Sequence, residues 1–340
     1  MRAKCRAPGV GAGVQSIRGR LMSKALIRPP RMVPGCRVSL VAPAGPLLDR
    51  DDITRGAELC LALGFQPVIG AHAHRRYGYL AGTDDERLAD LNGALRDPAI
   101  DAIWCLRGGY GVTRILDRVD FAALAERPRA VIGYSDITAL LLAIHQATGV
   151  ATFHASMART PLTPFSRRHF EPVLSRAAAM GRLGRLTPPK DVLVPKSPRI
   201  VPIRQGIAEG PLVGGNLSLL AALAGTRYFP DLTGAILFLE DVGEDLYRID
   251  RMLAQLRMVG ALDKLAGVIL GQFTDMKRGT GDGALGFDEV LTTYFEPLGI
   301  PVAYGFPIGH VDDQWTMPIG VRARLDAGAG EVDIVESAVV

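Results

Sequence analysis

The stretch RAVIGYSDITALLLAIH, residues Arg129–His145, holds an apolar run that stops at Gly133-Tyr134-Ser135-Asp136 and restarts with a longer apolar segment. A short continuous apolar run bounded by a turn predicts a buried strand, and the segment after it a helix. Strand–turn–helix units of this kind build parallel sheets covered on both faces. Ser135 or Asp136 at the junction fits a helix cap, because a side-chain oxygen there accepts an otherwise unpaired backbone N–H. A nucleophile on a strand-to-helix turn has the same local pattern. These residues alone leave both readings open.

Similar units surround it. RVSLVAPAGP (37–46) predicts a strand ending in a Pro/Gly turn, and DDITRGAELCLALG (51–64) a helix stopped by Gly64. FQPVIG (65–70) is a short strand, and GTDDERLADLNGALRD (82–97) a helix opened by a capping box of Thr83 and Glu86. AIDAIWCLRGGYG (99–111) is a strand running into glycines, VTRILDRVDFAALAE (112–126) is helical, and VATFHASM (150–157) is the fifth strand. The alternation predicts an N-terminal α/β domain over residues 35–160, a Rossmann- or flavodoxin-like parallel sheet. Residues 161–209 are rich in Pro and Arg with little periodicity and read as a connecting segment. Residues 210–335, with short strands, turns and two helices, predict a smaller β-rich C-terminal domain.

Charge narrows the function. The 340 residues carry a net charge of +4, but nine of the 39 Lys and Arg fall within residues 1–37, which hold no acid. The remainder has 30 basic against 35 acidic side chains, the wrong sign for a nucleic-acid partner. Residues 1–34, Gly- and Arg-rich, read as a disordered extension or as sequence upstream of a true start at Met22. No run approaches the length of a membrane span. Cys5, Cys36, Cys60 and Cys105 are far apart, without metal or disulfide spacing, which fits a reducing cytoplasm. No acid cluster has metal-ligand spacing, so neither metal nor cofactor is expected.

Ligands of an open parallel sheet gather beyond the carboxyl ends of its strands. Three turns fall there: APAGP (42–46), RGGYG (107–111) and GYSD (133–136). RGGYG is either a tight turn or a cradle of backbone N–H groups for an anion. His154 ends the fifth strand, and His310 follows a Gly in FPIGHVDD (306–313). Each is a structural histidine or a base. Glu240 closes the apolar run GAILFLEDVGE (234–244), either as a solvated strand end or as an ionised group held at a site. Singly, none of them decides the chemistry.

Together these blocks resemble the LD-carboxypeptidase family, the serine peptidases of muropeptide recycling and microcin C immunity. The resemblance runs from about Arg37 to Ala327 and includes VAPAGP (41–46), the 81–111 block ending in RGGYG, VIGYSDITALL (131–141), GPLVGGNLSLLAALAGT (210–226), the 237–275 block containing LED, and GFPIGH (305–310). It implies a Ser135-Glu240-His310 triad, with the serine on the first domain, the other two on the second, and the site between them. It further implies an oxyanion hole from the backbone N–H groups of Gly109 and Asp136, and substrate-lining roles for Arg107, Asn216 and His154. The implied activity is release of the terminal D-Ala from a murein tetrapeptide by a cytoplasmic homodimer. Two alternatives stand beside it: a microcin C-type immunity hydrolase, with Trp315 as a nucleobase platform, and a non-catalytic module binding a small anion through RGGYG. Family members commonly read His-Gly-Pro-Met where this chain has His154-Ala155-Ser156-Met157.

Overall fold

In the computed structural model, residues 25–49, 51–186, 199–277 and 285–340 are described. Expectations for residues 1–24, Cys5 among them, and for 187–198 within the connecting segment lie outside them. The first half alternates as its periodicity requires: β1 (Arg37–Val41), α1 (Asp51–Ala62), β2 (Gln66–Ile69), α2 (Asp84–Arg96), β3 (Ala102–Cys105), α3 (Phe121–Glu126), β4 (Ala130–Gly133), α4 (Thr138–Thr148) and β5 (Thr152–His154). These five strands are parallel, with Val38 opposite Ala102 and Ile103 opposite Val131. Every residue of β3 and β4 is buried, as helices on both faces demand. Gly64 sits at φ +82°, where a side chain would be strained, just beyond the end of α1. Thr83 and Glu86 form both bonds of the capping box that starts α2.

The connecting segment is more ordered than its composition suggests. It contains α5 (Pro164–Ser175), β6 (Gly181–Arg182) and β7 (Val201–Arg204). Thr163 caps α5 by accepting from Ser166 N, and Pro164 takes the first turn, where a missing N–H costs nothing. Phe165, Phe170, Val173 and Leu174 are buried. Residues 25–34 are likewise packed, contrary to a disordered extension. Ile27 N donates to Gly149 O at 2.8 Å and Ala151 N to Ile27 O at 2.8 Å, while Arg28 pairs with Glu336 at 2.5 Å. The physical reason is the partner: this segment satisfies its backbone on α4, β5 and the chain's far end, which no local pattern reveals.

The second half continues with β8 (Ile207–Asn216), α6 (Leu217–Leu223), β9 (Ile236–Val242), α7 (Leu246–Met258), β10 (Gly267–Thr274), α8 (Phe287–Phe295), β11 (Val302–Tyr304), β12 (Met317–Ile319), β13 (Arg322–Asp326) and β14 (Glu331–Ile334). It forms an eight-stranded sheet in the order β6-β14-β13-β8-β9-β10-β11-β7. Its centre, β8 to β11, is parallel and crossed by α6, α7 and α8, with antiparallel strands at both edges. β12 leaves this half altogether. It pairs antiparallel with β5, Met317 opposite His154, and becomes the edge of the first sheet, whose order is β12-β5-β4-β3-β1-β2. The two sheets are therefore laced together at His154, one of the candidate residues of the sequence.

Candidate active site

β4 delivers the chain to Ser135 at its carboxyl end. Ser135 has φ 60°, the left-handed region that costs an L-residue about 1–2 kcal/mol. Its neighbour across the turn has to be glycine: a β-carbon on Gly108 would lie 2.8 Å from Ser135 Cβ and 3.0 Å from its Oγ. A single 3₁₀ turn, Ser135–Ile137, then feeds α4. Neither Ser135 nor Asp136 caps a helix, because no side chain accepts a bond at the start of that turn or of α4. The buried Asp136 carboxylate instead accepts the Val112 N–H at 2.9 Å, tying the serine turn to the end of RGGYG. Burial pushes its pKa up, opposed by that bond and by the charge of Arg87.

β9 and the segment after β11 bring the other two residues. Glu240 stands opposite Asn216 on the parallel β8–β9 ladder and is 0% exposed. Its Oε2 lies 2.8 Å from His310 Nδ1. Gly309 has φ +108° and no room for a side chain, since a β-carbon would come 2.5 Å from Glu240 Oε2. Tyr134, adjacent in sequence to Ser135, packs its ring 4.8 Å from the His310 ring. Burial first, then the charge of Glu240, push the Tyr134 hydroxyl up to about 12. The serine turn of the first sheet thus meets the carboxylate–imidazole pair of the second. The buried Glu240 Oε1 has no hydrogen-bond partner among the described residues.

The glycine turn lies against the same serine. Gly45 N donates to Gly108 O at 2.9 Å, and a β-carbon on Gly109 would come 3.1 Å from Gly45 Cα. Asp136 N is close by, 3.3 Å from where a Gly108 β-carbon would sit. One residue holding these loops was missed from sequence. The Arg87 side chain, fully buried, donates to the Pro43 carbonyl, to Gly111 O at 2.9 Å and to Asp84 at 2.5 Å. It cross-braces APAGP and RGGYG. Its signal was present, for Arg87 shares the helical face of Leu88, Leu91, Ala94 and Leu95, all buried. A charge in an apolar stripe calls for buried partners.

The remaining sequence candidates divide. Arg107 is half-buried, donates to the Pro46 carbonyl and borders a groove that includes Gly109. Asn216 is committed to the scaffold: it caps α6 by accepting from Leu219 N at 3.3 Å, donates to Asp241 at 2.9 Å, and its N–H reaches Thr138 Oγ1 at 3.1 Å. His154 does not line an open wall as expected. It is 0% exposed, packed edge-on against Tyr134 and Phe238, with Gly215 closing over its Nδ1. The strand that ends in His154 has β4 on one side and β12 on the other, so its side chain lies under the site. Burial, helped by the nearby His310, pulls its pKa down to about 3. Trp315 is also unavailable as a platform, being 1% exposed with Nε1 donating to Gly184 O at 2.8 Å. His169 is used structurally, between Phe165 O and Gly184 N. Cys36, Cys60 and Cys105 are unpaired. Among the described residues, no group of three or more His, Cys, Asp or Glu is placed to hold a metal ion, and no helix is long and apolar enough to cross a membrane.

Two interlaced α/β sheets, with a buried carboxylate holding a half-buried imidazole near a strained serine turn, have the makings of a hydrolase. Comparison with known proteins makes the class specific. Residues 38–155 match the LD-carboxypeptidase N-terminal domain and residues 209–325 the LD-carboxypeptidase C-terminal domain. The chain belongs to the LD-carboxypeptidase family, a family of peptidases. It is 36% identical over 322 residues to a probable murein peptide carboxypeptidase of Bacillus subtilis, covering 92% of this chain and 95% of that one. It is 36% identical over 296 residues to the murein tetrapeptide carboxypeptidase of Pseudomonas aeruginosa, covering 85% and 93%. Among solved structures, the microcin C7 self-immunity protein MccF in its apo state superposes with a TM-score of 0.83 at 26% identity, over 92% of this chain and all of that one.

Proposed function

We propose that this protein is a serine-type LD-carboxypeptidase that releases the terminal D-Ala of murein tetrapeptides in the cytoplasm. The observation that carries the reading is the 2.8 Å contact of His310 Nδ1 with buried Glu240, beside a serine in left-handed conformation. With Nδ1–H held by the carboxylate, the other ring nitrogen is the base. It takes the Ser135 proton as Oγ attacks the scissile carbonyl, then returns it to the departing D-Ala amine. The tetrahedral oxygen is met by the backbone N–H groups of Gly109 and Asp136, at the start of the turn into α4. Water, deprotonated by the same imidazole, hydrolyses the acyl-enzyme. Glu240 orients the ring and stabilises the imidazolium.

The relatives' names support a murein peptide as substrate, and the unpaired cysteines agree with a reducing compartment. A homodimer follows from the family resemblance, and sedimentation velocity tests it. The decisive assay is D-Ala release from a synthetic tetrapeptide by mass spectrometry. Wild type should release it and Ser135→Ala should not. Equal release by both would remove Ser135 from the chemistry. The likeness to MccF favours a second reading, hydrolysis of an aminoacyl nucleotide, against which stands the burial of Trp315. Turnover of such an adduct, with none of the tetrapeptide, would select it.

A further inference from the structure

A second cavity, of about 430 Å³, lies at the end of α4 away from Ser135. The first turn of α4 follows the serine turn, and His145 in its last turn borders the cavity. The 11 residues between those ends rise by roughly 16 Å, so this space is separate from the reacting region. Both halves of the chain build it: His145 and Gln146 from α4, Pro211 and Val213 from β8, Asp231 from the loop before β9 and Arg322 from β13. Its volume falls within the roughly 300–1,000 Å³ of small-molecule sites.

Two opposite charges border the cavity without a strong partner of their own. Asp231 has no cation within ion-pair distance among the described residues, and its carboxylate accepts Thr233 N at 2.9 Å. Arg322 has Glu209 at 3.7 Å, with both side chains about half exposed, a pairing of little worth. Arg28 and Glu336, also at the cavity, instead neutralise each other at 2.5 Å. Asp231 and Arg322 come from either side of β8: Arg322 stands opposite Pro211 on β13, and the loop of Asp231 enters β9, where Ile236 stands opposite Leu212. Strand neighbours lie about 4.8 Å apart, so β13 and β9 are on the order of 10 Å apart across β8. Gln146 Oε1 accepts Asp231 N at 3.2 Å and ties that loop to α4. His145 adds an acceptor. Its Nδ1 faces the Val150 carbonyl at 3.2 Å and so carries the proton, and a β-carbon on Gly320 would come 2.9 Å from the same nitrogen. Nε2 is therefore the open nitrogen, and burial, opposed by the Val150 bond, lowers the ring's pKa and keeps it neutral at pH 7. A carboxylate and an imidazole nitrogen suit an ammonium, and a guanidinium suits a carboxylate.

We propose that this cavity is a second binding site, for a small zwitterion of amino-acid or dipeptide length, with its ammonium on Asp231 and His145 and its carboxylate on Arg322. Leu26 and Val213 offer apolar contact to its side chains. The site does not depend on the peptidase reading. Calorimetric titration of the full-length protein tests it, with D-Ala and with L-Ala-L-Ala, each beside its N-acetylated and its amidated form. At least one free zwitterion should bind, and the tighter of the two gives the ligand's length. Its capped forms should bind about tenfold more weakly or worse, because each lacks one charge-assisted bond. Asp231 and Arg322 are exposed, so Asp231→Asn and Arg322→Gln should leave Tm unchanged while each weakens the zwitterion about tenfold. Arg322→Lys should recover part of the loss. Absence of binding by either zwitterion at millimolar concentration would overturn the site, as would capped forms that bind equally well. Affinity that neither substitution moves would also overturn it, by placing the ligand elsewhere, such as the catalytic cleft. If a substitution lowers Tm, the comparison of free and capped ligands on wild type decides.

Discussion

Gly309 and Glu240 fit so closely that a β-carbon on the glycine would stand 2.5 Å from the carboxylate oxygen that holds His310. The glycine before the histidine is thus part of the carboxylate's seat. Gly309→Ala should push Glu240 off the imidazole and add left-handed strain at φ +108°. Loss of the orienting acid typically costs on the order of 10²–10⁴ in turnover. We expect kcat for D-Ala release to fall by about 10²-fold or more, with an unchanged circular dichroism spectrum. A kcat within twofold of wild type would mean that Glu240 does not orient His310.

Ser135 trades stability for its position. Replacement by glycine removes the cost of φ 60°, offset in part by the greater freedom of the unfolded chain. Ser135→Gly should therefore abolish D-Ala release yet stabilise the fold by about 1 kcal/mol, read as a higher Tm. Ser135→Ala should abolish release with no such gain, since alanine keeps the strain. A Tm that falls for the glycine variant and not for alanine would contradict the strain.

Arg87 braces two loops from beneath. Arg87→Leu leaves the buried Pro43 carbonyl unpaired, at about 1–3 kcal/mol, and removes one of the two donors to Gly111 O, which keeps Arg114 N. Urea unfolding should register a loss of about 2–4 kcal/mol, and kcat should fall because the glycine turn is no longer held. Arg96→Leu is the comparison. Its exposed pair with Asp120 at 2.6 Å should matter by less than about 1 kcal/mol. Similar losses from both would deny Arg87 its bracing role.

His154 sets part of the acid limit. Its pKa falls from 6.5 to about 3 on folding, so below pH 6.5 the unfolded state binds a proton that the folded state refuses. Stability due to this group is complete above pH 6.5 and is lost as pH falls towards 3, by about 1.4 kcal/mol per pH unit. Burial lowers His145 and His169 in the same direction, so the wild-type slope has several sources. His154→Phe should flatten the unfolding free energy between pH 6 and 4 relative to wild type. Parallel curves would show that His154 is protonated without penalty.

What could be read from sequence was local or came in ordered blocks. β1 to β5 and the capping box of α2 are visible because buried strands and amphipathic helices have short periods. Glu240 and His310 stood out because each ends an apolar run, although only the family pattern joined them. The misreadings have a common physical origin. The Pro-rich run after residue 160 read as a connection without periodicity, yet Pro164 starts a helix, because Thr163 before it caps. His154 looked like a wall residue because its burial is completed by β12, more than 150 residues later in the chain. Arg87 went unremarked because two of its acceptors are backbone carbonyls of distant turns.

That late strand has a consequence for how the protein is made. The half carrying Ser135 is synthesised long before Met317–Ile319, the segment that caps β5. Until then β5 presents an open edge, able to pair with another chain. During translation the nascent protein must keep this edge unoccupied while roughly half the polypeptide is still to come. The covering strand follows closely after His310, so sealing the edge and delivering the imidazole are steps of one late folding event. A chain released short of residue 317 would lack the cover and carry the hazard together.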